Sequence, residues 1–132
     1  MSGRILVAED EPYIVEAITF LLSHQGYEVT AVEDGAAVMP AIADARPDLL
    51  ILDIMLPSAN GFEVLSRIRS AQNLKALPVL ALTAKGQEAD RRRMTDLGVD
   101  DFVTKPFSNR DLVSRVTRLL GAGQPDQPAM RN

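Results

Sequence analysis

The residues best suited to chemistry stand where short apolar runs end. Leu49-Leu50-Ile51-Leu52 runs straight into Asp53, and Ile5-Leu6-Val7-Ala8 runs into Glu9-Asp10. Val79-Leu80-Ala81-Leu82 leads to Thr83-Ala84, and Phe102-Val103-Thr104 to Lys105-Pro106. A brief unbroken apolar run bounded by loop signals suits a strand buried on both faces. In a parallel α/β sheet the carboxyl ends of such strands share the edge where ligands bind. Each residue also has a plain structural use. Asp53 can close the following Pro/Asn/Gly loop, Glu9 and Asp10 can be solvated loop acids, Thr83 is at home in a strand, and Lys105 can be a surface cation. Their joint arrival at successive strand ends is what points to a site.

Three carboxylates held about 5 Å apart repel by roughly 3 kcal/mol per pair at an effective dielectric near 20. Such a cluster needs a counter-charge. Lys105 supplies one, and a hard divalent cation can supply more. Mg²⁺ prefers oxygen ligands, keeps several waters, and uses few carboxylates when it also holds phosphate. An ionised Asp is a competent nucleophile toward phosphorus. With Mg²⁺ and Lys105 neutralising phosphoryl oxygens, and the Thr83 hydroxyl donating to one, an acyl phosphate can form on Asp53. The small neighbour Ala84 leaves room for the incoming group.

The elements that must position these residues follow from periodicity. After Glu9-Asp10-Glu11, Pro12 suits the first turn of a helix carrying Ile14, Ile18, Leu21 and Leu22, which Gly26 stops. Tyr27 to Val32 alternates apolar with polar residues, as a half-exposed edge strand does. Asp34-Gly35 opens a helix with Val38 and Ile42 toward the core, and Pro40 inside it should bend the helix or delay its start. A helix from about Gly61 carries Phe62, Leu65 and Ile68, and Pro78 to Ala84 is the fourth strand. Gln87 to Leu97 is helical with only Met94 and Leu97 as strong apolar anchors, which marks it as loosely fastened. After a fifth strand, Ser108 with Asp111 three residues on signals the cap of a last helix, which runs to Gly121. Five strand–helix alternations argue for a parallel sheet with helices on both faces. Residues 3–121 then form one domain, and the Gly/Gln/Pro-rich 122–132 reads as a disordered tail or linker.

Bulk properties exclude several classes. At 132 residues and a net charge of -4, the chain has room for one core and shows no electrostatic demand for nucleic acid or an anionic membrane. It has no cysteine and one histidine, His24, so thiolate chemistry and multi-histidine metal sites are out. No apolar run reaches spanning length and no signal-peptide pattern opens the chain, so a cytoplasmic protein is expected.

The ordered set Glu9-Asp10, Asp53 with Pro57 and Gly61 behind it, Thr83-Ala84, and Phe102-Val103-Thr104-Lys105-Pro106 resembles the receiver domain of bacterial two-component response regulators. The resemblance spans about Gly3 to Gly121 and implies a flavodoxin-like (CheY-like) doubly wound fold with strand order 2-1-3-4-5. It implies that Asp53 takes a phosphoryl group from a phosphohistidine on a histidine kinase or phosphotransfer protein. Asp10, Asp53 and the Met55 backbone carbonyl would bind Mg²⁺, with Glu9 acting through water. Thr83 and Lys105 would hold the phosphoryl oxygens, and Lys105-Pro106 would be a cis peptide. Thr83 and Phe102 would form the switch that alters a protein-binding surface, read by a downstream protein or by a second copy as a homodimer. Phe102 can equally be a fixed core residue.

Arg91-Arg92-Arg93 is either a solvated helix face or part of an output surface shared with Arg110, Arg115 and Arg118. Other readings fit less well. An aspartate-nucleophile phosphatase of the haloacid dehalogenase-like class needs a second Asp two residues after the first, where this chain has Met55. A flavodoxin needs a Ser/Thr/Gly-rich phosphate loop where this chain has Glu9-Asp10-Glu11-Pro12. A receiver used only for docking would not need all these positions filled. A relay intermediate, or the regulatory domain of a longer regulator, remains compatible.

Overall fold

A computed structural model describes residues 3–122. The strands β1 (Arg4–Ala8), β2 (Glu28–Val32), β3 (Leu49–Asp53), β4 (Val79–Ala84) and β5 (Asp101–Lys105) form one parallel sheet in the order β2-β1-β3-β4-β5. This is the expected flavodoxin-like order. Each strand leads into a helix: α1 (Pro12–His24), α2 (Val38–Ala45), α3 (Gly61–Ser70), α4 (Glu88–Asp96) and α5 (Asn109–Ala122).

The pleat divides the core in two. Leu6, Ala8, Leu50, Leu52, Val79 and Ala81 face α2, α3 and α4, packing with Val38, Ile42, Leu65, Ile68 and Met94. Ile5, Val7, Leu49, Ile51, Leu80, Leu82 and Val103 face α1 and α5, packing with Ile18, Leu22, Leu112 and Val116. Helices on both faces explain why β3 is buried along its whole length, while edge strand β2 is at most half-buried.

Local chemistry sets the ends. Pro40 delays its helix rather than bending it. Residues Gly35–Ala37 form a 3₁₀ turn, and α2 proper starts at Val38. Pro40 thereby falls among the first positions of α2, where an N–H would have no intrahelical partner. Asn60 caps α3 reciprocally: its Oδ1 accepts from the Glu63 amide at 3.0 Å, and Glu63 Oε1 accepts from the Asn60 amide at 3.3 Å. Ser108 Oγ accepts from the Asp111 amide at 2.9 Å at the start of α5. That helix extends one residue past Gly121, and the expectation for the tail beyond Ala122 concerns residues outside those described.

Helix α4 buries only Met94 completely and has no side-chain cap at Gln87. Its C-terminal end is better held. Arg69 donates to Gly98 O at 2.9 Å, to Leu77 O at 2.7 Å and to Asp100 Oδ2 at 2.9 Å. Asp100 Oδ2 also accepts from the Val79 amide at 2.8 Å, so one guanidinium ties α3 to the entrances of β4 and β5. Among the described residues no helix is long and apolar enough to cross a membrane.

Candidate functional site

Register brings the acids together. Ala8 pairs with Leu52, so the next residues, Glu9 and Asp53, are neighbours at the carboxyl edge. Asp53 pairs with Leu82 and Ala84 with Lys105, which places Thr83 and Lys105 at the same edge. Glu9, Asp53 and Thr83 are all buried, whereas Asp10 is exposed. One carboxylate oxygen from each of Glu9, Asp10 and Asp53 lies within 4.8 Å of the others. Lys105 Nζ donates to Glu9 Oε1 at 3.2 Å and to Asp53 Oδ1 at 3.4 Å. The Met55 amide donates to Asp53 Oδ1 at 3.3 Å, and the Glu11 amide to Glu9 Oε2 at 3.0 Å.

The loop after β3 must turn back tightly over Asp53. At Gly61 a Cβ would lie 2.8 Å from both Asp53 O and Ile54 Cα, so any side chain would push the loop off the strand end. The Gly61 amide donates to Ile54 O at 2.8 Å and closes that turn.

Burial raises the Glu9 carboxyl to about 7, and the Asp53 charge adds to this, against the Glu11 amide and the Lys105 cation. Burial alone would lower the Lys105 ammonium, but the Asp53 and Glu9 charges outweigh it, so its pKa rises. The lysine therefore remains a cation throughout the physiological range, and Glu9 is the acid that takes up a proton to relieve the crowding as pH falls through about 7. A carboxyl raised in the folded state binds more protons there than in the unfolded chain. Metal-free stability should accordingly fall as pH rises from about 4.5 to about 7, by an amount on the order of 3 kcal/mol, and then level off. Denaturant melts of metal-free wild type and Glu9→Gln between pH 5 and 8 check this: the variant's profile should be flatter. Parallel profiles would remove Glu9 as the source.

Thr83 Oγ1 is buried with no hydrogen-bond partner among the described residues. An orphaned buried hydroxyl costs about 1–3 kcal/mol, so it suits a site that receives an acceptor from outside. A phosphoryl oxygen is such an acceptor. The three acids offer the all-oxygen donor set that a hard divalent cation prefers. The residues present thus fit both groups.

Residues 5–117 match the family model of the response regulator receiver domain. The chain belongs to that family. It is 38% identical over 120 residues to the phosphate regulon transcriptional regulatory protein PhoB of Escherichia coli, a match covering 91% of this chain and 52% of PhoB. The chain therefore spans about half the length of the curated relatives it matches. Among solved structures, a signal receiver domain of a histidine kinase from Syntrophus aciditrophicus superposes with a TM-score of 0.87 at 32% identity, covering 95% of each chain. The receiver domain of sensor histidine kinase PA1611 from Pseudomonas aeruginosa gives 0.83 at 31% identity, over 92% of this chain and 99% of that one. The PA1611 domain holds a magnesium ion in its active-site cleft. A receiver domain is a signalling module of two-component systems, and phosphorylation-dependent signalling is the function of the family.

The arginines of this receiver domain divide: Arg91 and Arg115 line one groove between α4, β5 and α5, whereas Arg93 turns toward α3. Arg91 binds Glu88 at 3.3 Å and the Thr104 hydroxyl, whereas Arg93 lies over the Phe62 ring, 4.1 Å from its centroid. Arg92 is exposed. Arg115 Nη1 binds Asp101 at 2.6 Å, and Arg118 binds the same carboxylate. The run is split by helical geometry, which points adjacent residues about 100° apart. Phe102 is partly buried against the α2–α4 side of the core and borders a groove with Arg91, Thr104 and Pro106. Lys105-Pro106 is cis.

Sequence reading missed the residues that brace the loop carrying Met55. Ser58 Oγ donates to Asp34 Oδ2 at 2.9 Å, and the Gly35 amide donates to Pro57 O at 3.0 Å. The Asp34-Gly35 pair reads locally as the start of a helix. A serine inside a Pro/Ser/Ala/Asn turn gave no signal of a partner 24 residues away.

Proposed function

We propose that this receiver domain accepts a phosphoryl group on Asp53 from a phosphohistidine of a histidine kinase or phosphotransfer protein. The observation that carries the reading is the Lys105 ammonium bound to Asp53 at 3.4 Å inside a cluster of three acids. Mg²⁺ is the cation that suits them. Asp10, Asp53 and the Met55 backbone carbonyl would hold it, with Glu9 acting through water, and when bound it would neutralise charge on the phosphoryl oxygens. An Asp53 carboxylate oxygen attacks phosphorus, the P–N bond breaks, and its electron pair stays on the donor imidazole, which takes up a proton. Lys105 is then free to pair with the phosphoryl group. Thr83 donates its unpartnered hydroxyl to another phosphoryl oxygen, moving toward the strand end as it does so.

That movement is the proposed output. Thr83 leads into the loop before α4, the helix with one fully buried side chain. Phe102 sits on β5 beside it, and the Arg91–Thr104 bond links α4 to β5. The face made by α4, β5 and α5 would then change shape for a downstream protein or a second copy of the chain. A role as regulatory domain of a longer regulator is the second reading, favoured by relatives about twice as long.

The test is chemical. Wild-type protein given acetyl phosphate and Mg²⁺ should gain the mass of one phosphoryl group, and a chelator should suppress the gain at least tenfold. Borohydride reduction of the acyl phosphate followed by peptide mass spectrometry should place the label at residue 53. Label at any other acid would overturn the assignment.

A further inference from the structure

The loop between β3 and α3 is braced from across the fold in a way the phosphoryl chemistry does not itself require. Ser58 adopts φ 71, a left-handed conformation that a residue with a Cβ rarely takes. Its hydroxyl donates to Asp34 Oδ2 at 2.9 Å, while Asp34 Oδ1 accepts from the Ala36 amide at 2.7 Å. Both carboxylate oxygens are thus committed, one to the 3₁₀ turn and one to the loop. Alongside, the Gly35 amide donates to Pro57 O at 3.0 Å, and Gly35 lies against the backbone of Ala59 so closely that a Cβ would meet Ala59 O at 1.6 Å. These contacts hold Pro57 to Ala59 from one side. From the other side, the Gly61 amide bonds Ile54 O at 2.8 Å and the Met55 amide bonds Asp53 at 3.3 Å. Met55 is therefore strung between two fixed points, although the residue itself is 72% exposed.

We propose that Asp34 and Ser58 are positioning residues for the phosphorylation site: their bond clasps the two loops and sets the Met55 backbone against Asp53 for the incoming cation. The inference rests on the reading of Asp10, Asp53 and the Met55 carbonyl as the cation's ligands. The left-handed serine supports it. A strained backbone persists only where its surroundings over-determine it, and here the hydroxyl bond to Asp34 is what does so.

Ser58→Gly separates positioning from stability. It removes the hydroxyl while glycine accepts φ 71 without strain, so the strain relieved offsets the bond lost from the fold. Titrating ¹⁵N-labelled full-length chain with MgCl₂ and following amide shifts, the variant should bind roughly fivefold more weakly than wild type, the loss expected for one hydrogen bond. In the metal-free protein the Gly35 and Gly61 amides should exchange faster with solvent, while the melting midpoint stays within about 2 °C of wild type. Ser58→Ala keeps the Cβ in the left-handed region without the bond, and should bind as weakly while melting lower. Equal Mg²⁺ affinity in wild type and Ser58→Gly overturns the proposal, as does weaker binding with exchange at Gly35 and Gly61 unchanged. Asp10→Asn serves as the control. If wild type and Asp10→Asn alike fail to respond to Mg²⁺, the ligand assignment itself fails. If Asp10→Asn loses the response while Ser58→Gly binds Mg²⁺ with wild-type affinity, the ligands stand and the clasp alone is refuted.

Discussion

The Asp53→Asn protein is expected to keep its unmodified mass after incubation with acetyl phosphate and Mg²⁺, and to melt at least as high as wild type. The first half follows from nucleophilicity: a neutral carboxamide has no anionic oxygen to attack phosphorus. Within the limit of mass detection the loss should be complete. The second half follows from the charges around the strand end. Asp53 is buried, with Lys105 as its cationic partner at 3.4 Å and Glu9 and Asp10 as crowding anions within 4.8 Å. Each like-charge pair at about 5 Å costs roughly 3 kcal/mol at an effective dielectric near 20, comparable to the lysine's attraction. Above about pH 7, where Glu9 is ionised, removing the Asp53 charge therefore gives up one favourable pair and relieves two unfavourable ones. Lys105 keeps Glu9 at 3.2 Å, and the carboxamide oxygen of the variant can still accept from the Met55 amide. The Glu9 carboxyl, raised in part by the Asp53 charge, should titrate lower in the variant. A net gain of about 1 kcal/mol in metal-free stability is expected. A mass gain equal to wild type would move the acceptor elsewhere, and a fall of several degrees in melting temperature would show that Asp53 holds the fold together.

The split between function and stability at this edge was legible because of how the chain is written. Residues that end apolar runs are fixed in space by the sheet, so Glu9, Asp53, Thr83 and Lys105 could be brought together from their places in sequence. Periodicity also placed α1, α3 and α5, since burial of Ile18, Leu22, Leu65, Ile68, Leu112 and Val116 follows their spacing. Contacts between loops are a different matter. Nothing local tells Ser58 that it will meet Asp34, or Arg69 that it will bind Gly98 and Asp100. Those bonds arise only when crossovers of unrelated length deliver distant segments to the same rim. The triple arginine divides for a related reason. Consecutive residues on a helix face different neighbours, so Arg91 reached β5 and Arg93 reached Phe62. The unpartnered Thr83 hydroxyl is likewise invisible in sequence, because satisfaction of a buried group depends on everything packed around it.

Gly35→Ala is expected to cost about 3 kcal/mol of stability and to disturb phosphorylation without touching a reacting atom. The added Cβ would sit 1.6 Å from Ala59 O and 2.6 Å from Ala59 C. Both atoms are backbone, so no side-chain rotation can make room. Either the 3₁₀ turn or the loop from Pro57 to Ala59 must move by more than about an ångström to restore ordinary contact distances. The Gly35–Pro57 bond at 3.0 Å and the Asp34–Ser58 bond at 2.9 Å are lost whichever one yields. For a domain of this size the melting temperature should fall by about 10 °C. Gly121→Ala supplies the contrast. Outside its own helix no described atom lies within 4 Å of a Cβ there, and the residue belongs to the last turn of α5, where alanine is favoured over glycine by up to about 1 kcal/mol. The same chemical change should therefore stabilise at one position and destabilise at the other. Equal midpoints for Gly35→Ala and wild type would mean that the two loops do not touch in solution. Acyl-phosphate formation should also be slower in Gly35→Ala at temperatures where it is fully folded, because the loop that displaces to admit the methyl group is the one that presents Met55 to Asp53.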